Sequence, residues 1–419
     1  MENSGKSIGE GREHSHAVNA ASGREEDPVV DFSNTEVAFS HKSDKELKKA
    51  AWLFGLMNKH WLVGIGSKLG VAAIRMHLPF IESIVKNTIY EQFCGGTTLL
   101  ESRDTMARLY AANVYTILDY GAEGKEKEED FNYTMNETIR ALEFAANHKS
   151  VRMVSTKVTG MARNELLRTV QENPGALNRQ QEAEYQNIRK RLDSICHVAK
   201  QKGVSISFDA EESWMQGAID TLVVQMMERY NTEQPVVYNT YQLYREGQLD
   251  LLKQTHRAAR EKGYIAAAKL VRGAYMEKER ERAEEMGYPS PILPDKSAVD
   301  ASYNEAVRYC VDNYETLALV NASHNAQSNL LQAEIIDQKN IPKDHPHLMF
   351  CQLYGMSDNL TFNLAKEGYL SAKYLPYGPV VEVVPYLIRR AQENSSVTGD
   401  MSREHQLVLQ EMKRRSLEH

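Results

Sequence analysis

Residues 204–241, VSISFDAEESWMQGAIDTLVVQMMERYNTEQPVVYNTY, set the architecture. A short apolar run at 204–209 and another at 236–241 flank a stretch of helical period, the pattern of a βαβ unit with parallel strands. The same alternation extends in both directions from about Arg108. Further apolar runs fall at 115–119 and 151–158 on one side, and at 265–271, 317–323, 347–353 and 372–376 on the other. Eight such runs suit either a closed barrel or a long open sheet, since periodicity does not separate the two. The number favours closure, so the expectation is an α/β fold of the (βα)8, TIM-type class. In that class the chemistry sits at the C-terminal ends of the strands and in the loops that follow. Polar residues late in each run therefore stand out, because a strand buried on both faces should be apolar. They are Lys157, Asp209, Asn239, Lys269, Arg272, Ser323, His324, Tyr354 and Tyr374.

The remaining sequence arranges itself around this core. Residues 1–42 are polar and acidic and read as a flexible tail; they fit neither a secretory signal nor an acidic-poor transit peptide. Ser43 can cap a helix that starts near Asp44 and continues through Leu47, Ala50, Ala51, Leu53 and Phe54. It opens a helical arm over 43–110, followed by the barrel at 111–394 and a C-terminal tail at 395–419. Leu417, Glu418 and His419 resemble the start of an expression tag. Gly64, Gly66 and Gly70 imitate a dinucleotide fingerprint, but the last spacing is one residue too long and helices surround it.

Composition narrows the function classes. Of 419 residues, 42% are hydrophobic and 26% charged, ordinary globular usage. The net charge of -7 and the lack of a dense basic run argue against a nucleic-acid partner. Cys94, Cys196, Cys310 and Cys351 are widely spaced, form no metal-ligand pattern, and read as reduced thiols. No apolar stretch approaches the roughly 20 residues needed to cross a bilayer.

Two motifs carry the chemistry. In YLPYGPVVEVVPYLIRRAQEN, residues 374–394, helical spacing puts Tyr386, Arg389, Arg390 and Glu393 on one face. Paired guanidiniums suit a carboxylate ligand, because each offers a rigid fork of donors. A solvated helix face with ordinary surface arginines fits the spacing equally. In KLVRGAY, residues 269–275, Gly273 lets the backbone approach a flat ligand while Lys269 and Arg272 can stabilise a reduced ring. The alternative is a strand ending in a loop whose cations snorkel outward. Lys157 in STKVTG and Asp209 in SFDAEES could form a buried ion pair, which at that depth suggests function more than stability. As lone surface charges they would carry nothing. A histidine placed like His324 is ordinarily a satisfied loop residue.

From about Phe93 onward, these motifs in this order resemble the FAD-dependent proline dehydrogenases. The resemblance implies FAD bound on the barrel and a final helix over its mouth, with Arg389, Arg390 and Lys157 holding the proline carboxylate. It implies that Asp209 helps hold the pocket and that Tyr275, Leu353, Tyr374 and Tyr386 line it. Asn239, Lys269, Leu270, Val271, Gly273, Ala274, Ser323, His324, Asn325 and Glu393 match cofactor-contacting positions, and Lys296 would face the pyrophosphate. Lys269 stands where many bacterial relatives have arginine, and Asn239 where they often have glutamine; both keep the chemical type.

The activity so implied is oxidation of L-proline to 1-pyrroline-5-carboxylate by hydride transfer from C5 to FAD. Electrons would pass to a quinone, placing a cytoplasmic chain against the inner face of a membrane. Two other readings share the barrel. One is a Schiff-base lyase using Lys157 or Lys269 as nucleophile. The other is a flavin-containing proline sensor that turns over little.

Overall fold

A computed structural model describes residues 28–57, 81–121, 124–395 and 400–417. Eight parallel strands close on themselves in sequence order: β1 (Val114–Tyr120), β2 (Val151–Thr156), β3 (Ser205–Phe208), β4 (Val237–Gln242), β5 (Ala266–Val271), β6 (Leu317–Ala322), β7 (Leu348–Leu353) and β8 (Ser371–Tyr377). Every run expected from sequence is a strand, with ends differing by at most two residues. Parallel pairing needs a crossover after each strand, and helices supply it, covering the sheet's outer face.

Register decides which side chains enter the barrel. Asn239 pairs with Ala268, Thr240 with Lys269 and Tyr241 with Leu270. Because neighbours in register share a face, Thr240 and Lys269 point inward while Asn239, Tyr241 and Leu270 point to the helices. By the same rule Tyr374 and Leu353 enter the barrel together. The main core lies between strands and helices, joining Leu270, Leu319 and Phe350 to Leu222, Tyr303 and Leu364.

Ser43 does cap the helix Asp44–Met57. Its hydroxyl accepts from Glu46 N, and Glu46 Oε2 accepts in return from Ser43 N at 2.8 Å. That helix, together with Tyr90, Phe93 and Val408, forms a second apolar cluster around Val380, Val383, Tyr386 and Leu387. The helix that follows β8, Val380–Ser395, is thereby clamped over the barrel mouth. Lys125, in the loop after β1, pins it further through Glu382 at 2.8 Å.

Two expectations change. Residues 28–42 are not all tail: Thr35–Ala38 is helical, and Asn359 and Asn363 donate to the carbonyls of Phe32 and Asn34 at 3.0 and 3.1 Å. Residues 400–414 form a helix, Asp400–Arg414, rather than a tail. Its Glu411 is buried and accepts from Arg414 and Arg415, while the Arg415 guanidinium donates to the carbonyls of Lys42 and Phe39. The glycines at 64, 66 and 70 lie outside the described residues.

Candidate active site

Inward-facing polar side chains gather on one side of the upper barrel. Asp209, just past β3, accepts from Lys269 Nζ at 2.5 Å, from Ser155 Oγ at 2.8 Å and from Tyr374 OH at 2.7 Å. Ser207 supports Ser155 at 2.9 Å. The Lys269 ammonium also lies 4.4 Å from the Tyr374 ring centroid. Asp209 is thus bonded to Lys269, a cation that spacing alone did not pair with it, and the charge of Lys157 acts on it as well. Burial alone would raise the Asp209 pKa, but Lys269, Lys157 and the two hydrogen bonds outweigh it and hold the group below the ordinary carboxylate range.

Asp119, next to last in β1, lies beside this pair and went unnoticed in the sequence. Burial first, and the like charge of Asp209, push it up to about 6 against the pull of Lys157 and Lys269. Glu211, also missed, is buried against the Thr159 hydroxyl and amide. Burial and the neighbouring Glu212 raise it to about 8 although Thr159 and Lys157 oppose the shift. Gln242 Nε2 donates to the Glu211 carbonyl at 2.9 Å. Two carboxyls able to carry a proton near neutrality thus border two buried ammonium groups.

The roof helix completes the mouth. Arg389 brings its guanidinium 5.9 Å from the Tyr275 ring centroid, and Arg390, 7% exposed, packs 5.2 Å from the Tyr386 ring. The Arg390 charge is also felt by His324, in the loop after β6. Arg390 is therefore buried at the strand ends, and Arg389, half-buried, reaches the loop after β5. Leu353 and Tyr275 are half-buried at the same rim, and Tyr374 and Tyr386 are buried.

The rim formed by β5 and β6 is accessible and cationic. Val271, Gly273 and Tyr275 are half-buried and Ala274 is exposed, so a flat ligand can lie along them. Arg272 donates to Asp300 Oδ1 at 2.6 Å, to Ser323 Oγ at 2.8 Å and to Ser328 Oγ at 3.0 Å. Lys296 reaches the other oxygen of Asp300 at 2.5 Å, so two cations share one carboxylate and the group stays positive. Asn325 caps the helix Ala326–Gln338 by accepting from Ser328 N, and its own amide donates to Ser323 Oγ. His324 Nδ1 lies 2.9 Å from Ser357 Oγ, and burial with Arg390, Lys373 and Arg272 nearby lowers it to about 3, leaving it neutral.

Two expected cofactor contacts are not in the barrel. Asn239 turns outward and donates to Asp220 Oδ1 at 2.9 Å on the helix Ser213–Tyr230. Leu270 is wholly buried among the helices, and its carbonyl accepts from Tyr303 OH. Strand parity accounts for both, since each precedes or follows an inward residue. The Glu393 side chain lies outside the described ones.

Comparison with known proteins sets this geometry in context. The family pattern described as "Proline dehydrogenase" matches residues 102–403. The mitochondrial proline dehydrogenase 1 of Caenorhabditis elegans is 38% identical over 244 residues, 57% of this chain and 40% of that protein. The chain thus spans well under half the length of that relative. Xenopus laevis hydroxyproline dehydrogenase is 31% identical across 92% of this chain and 90% of its own. Among solved structures, proline utilization A from Bdellovibrio bacteriovorus, inactivated by N-propargylglycine, superposes with a TM-score of 0.68 at 20% identity, covering 88% of this chain and 37% of that one. That likeness concerns the fold.

Proposed function

This chain belongs to the proline dehydrogenase family, and we propose that it oxidises L-proline to 1-pyrroline-5-carboxylate with FAD as its resident cofactor. The observation that carries the reading is the pair of roof guanidiniums, Arg389 beside Tyr275 and Arg390 close enough to His324 to depress its protonation. Cations fixed at a closed barrel mouth recognise a small carboxylate without first having to be ordered.

The donor set fits a flavin nucleotide. Lys269, Val271, Gly273, Ala274, His324 and Glu393 would border its ring and polar chain, and Arg272, Lys296, Ser323 and Asn325 its phosphates. When bound, the flavin supplies a two-electron acceptor for hydride. The protein does the rest. Arg389, Arg390 and Lys157 hold the carboxylate, while Leu353, Tyr275 and Tyr386 enclose the ring and Tyr374 fixes its face. The Tyr374 ring is itself immobilised by its bond to Asp209 and by the Lys269 ammonium against it. Such fixed orientation supplies much of the rate gain in reactions between two held partners. As C5 loses hydride, the amine must surrender its proton so that the C5=N double bond can form. Asp119 and Glu211 are the nearby groups whose protonation balance lies close to neutrality. The family resemblance points to a quinone as final acceptor, hence to peripheral membrane contact. Among the described helices none is long and apolar enough to cross a membrane.

A spectrum of the purified protein tests the reading. A visible flavin band that bleaches with L-proline under exclusion of oxygen is expected, with turnover once an artificial acceptor is added. A folded protein without flavin favours the Schiff-base lyase, and bleaching without turnover favours the sensor. Faster bleaching with 4-hydroxyproline than with proline would transfer the substrate assignment.

A further inference from the structure

Behind the cofactor rim lies a polar chain that the reaction above does not use. Glu404, on the helix Asp400–Arg414, is 5% exposed and reaches the loop after β7. Its Oε1 accepts from Ser357 N at 2.9 Å and from Ser357 Oγ at 3.2 Å. The same hydroxyl lies 2.9 Å from His324 Nδ1. Ser357 precedes the helix Asp358–Lys366, where a serine ordinarily caps with its side chain, yet it makes no such bond. It also holds φ at 49°, a left-handed conformation uncommon for a residue with a side chain. Its hydroxyl is thus diverted from the helix into a link between the C-terminal helix and the barrel mouth.

Hydrogen counting fixes the direction of that link. An ionised carboxylate only accepts, and a serine hydroxyl has one hydrogen. With that hydrogen on Glu404, Ser357 can only accept from His324, which must then carry its proton on Nδ1. We propose that Glu404 is a positioning residue that acts through Ser357 to hold neutral His324 as the Nδ1–H tautomer, so that Nε2 offers a lone pair to a hydroxyl or N–H of the bound flavin. The last clause rests on the cofactor reading above.

The surroundings decide when the link operates. Burial and Asp358 raise Glu404 to about 7, while Lys373 and the Ser357 bonds favour its charged form. Asp358 itself is flanked by Lys373 at 2.8 Å, Lys42 at 3.4 Å and His41 at 3.6 Å. On the other side, Arg390, Lys373 and Arg272 keep His324 neutral. Well above pH 7 the link is therefore complete.

The test is imidazole 15N NMR of the histidine-labelled, flavin-loaded full chain at such a pH, with His324 assigned from a His324→Gln sample. A protonated Nδ1 and an unprotonated Nε2 are expected. Ser357→Ala should lose this pattern and retain flavin about ten-fold less tightly, the loss of one good hydrogen bond. Glu404→Gln, whose amide oxygen still accepts, should keep the pattern, whereas Glu404→Leu should lose it. A proton on Nε2 in the unmodified protein, or a Ser357→Ala spectrum unchanged at His324, overturns the proposal. A sample that shows the Nδ1–H pattern but has no visible flavin band supports the link and removes the cofactor reading instead.

Discussion

The Nζ of Lys269 lies 2.5 Å from Oδ1 of Asp209, joining β5 to the end of β3 inside the barrel. Both groups are withdrawn from water, so their attraction must offset two desolvation costs, and removing one partner strands the other. Asp209→Ala should lower the unfolding free energy by about 3–5 kcal/mol, the usual cost of an orphaned buried charge. It would also release Tyr374 from its bond. Denaturant titration gives the first effect; a loss within experimental scatter of zero would mean that Lys269 has another home for its charge.

Arg389 tests substrate recognition apart from cofactor binding. Its guanidinium faces Tyr275, whereas the positive rim built on Arg272, Lys296 and Asp300 lies on β5 and the helix Lys296–Asp312. Arg389→Met should therefore raise the KM for proline about 100-fold, as expected when one partner of a desolvated charge contact is truncated. Flavin content should change little. Parallel loss of flavin and proline affinity would remove the carboxylate role.

Much of this site was legible because a barrel strand is apolar until its last residues. That contrast marked all eight runs and exposed Lys157, Asp209, Lys269 and Tyr374 at their tips. Asp119 ends the first run and obeys the same rule, so the signal for it was present. Inside-outside parity was not legible. A strand covered on both faces has no alternation to read, so nothing in the sequence marked Asn239 and Leu270 as turned toward the helices. The bond between Asp209 and Lys269 was equally hidden, since only barrel closure and register bring that cation to it. Glu404, Ser357 and Lys373 lie in separate stretches of chain that tertiary packing alone brings together.

Gly273 is required on two counts. Its φ is 140°, and a Cβ there would meet Tyr244 Cε1 at 2.2 Å. The aromatic ring is wholly buried and cannot yield cheaply. Gly273→Ala should destabilise by about 1–3 kcal/mol through backbone strain and displacement, and it should impair flavin retention because the wall of the rim shifts. Gly287→Ala is the control: its φ is 71° but a Cβ there meets open space. It should cost about 1 kcal/mol and leave flavin content intact. Equal effects from the two would show that conformation alone, not the close approach of Tyr244, restricts residue 273.

Glu211 gives the pH dependence a definite sign. Its carboxyl is raised to about 8, chiefly by burial, so the folded state binds its proton more tightly than the unfolded chain, where about 4.5 applies. The resulting stabilisation is complete below the unfolded value and is lost as pH climbs through the folded one. Glu211→Gln keeps an oxygen to accept from the Thr159 amide and offers its NH2 to the Thr159 hydroxyl, but it cannot titrate. Asp119 and Glu404, also raised, change stability in the same direction, yet they are common to both proteins and cancel in the difference. Wild-type stability relative to Glu211→Gln should therefore fall by about 1–3 kcal/mol between about pH 5 and about pH 8, read from paired denaturant titrations. A difference that stays flat across that window would mean that Glu211 is already ionised in the fold, leaving Asp119 as the nearer candidate to receive a proton at the barrel mouth.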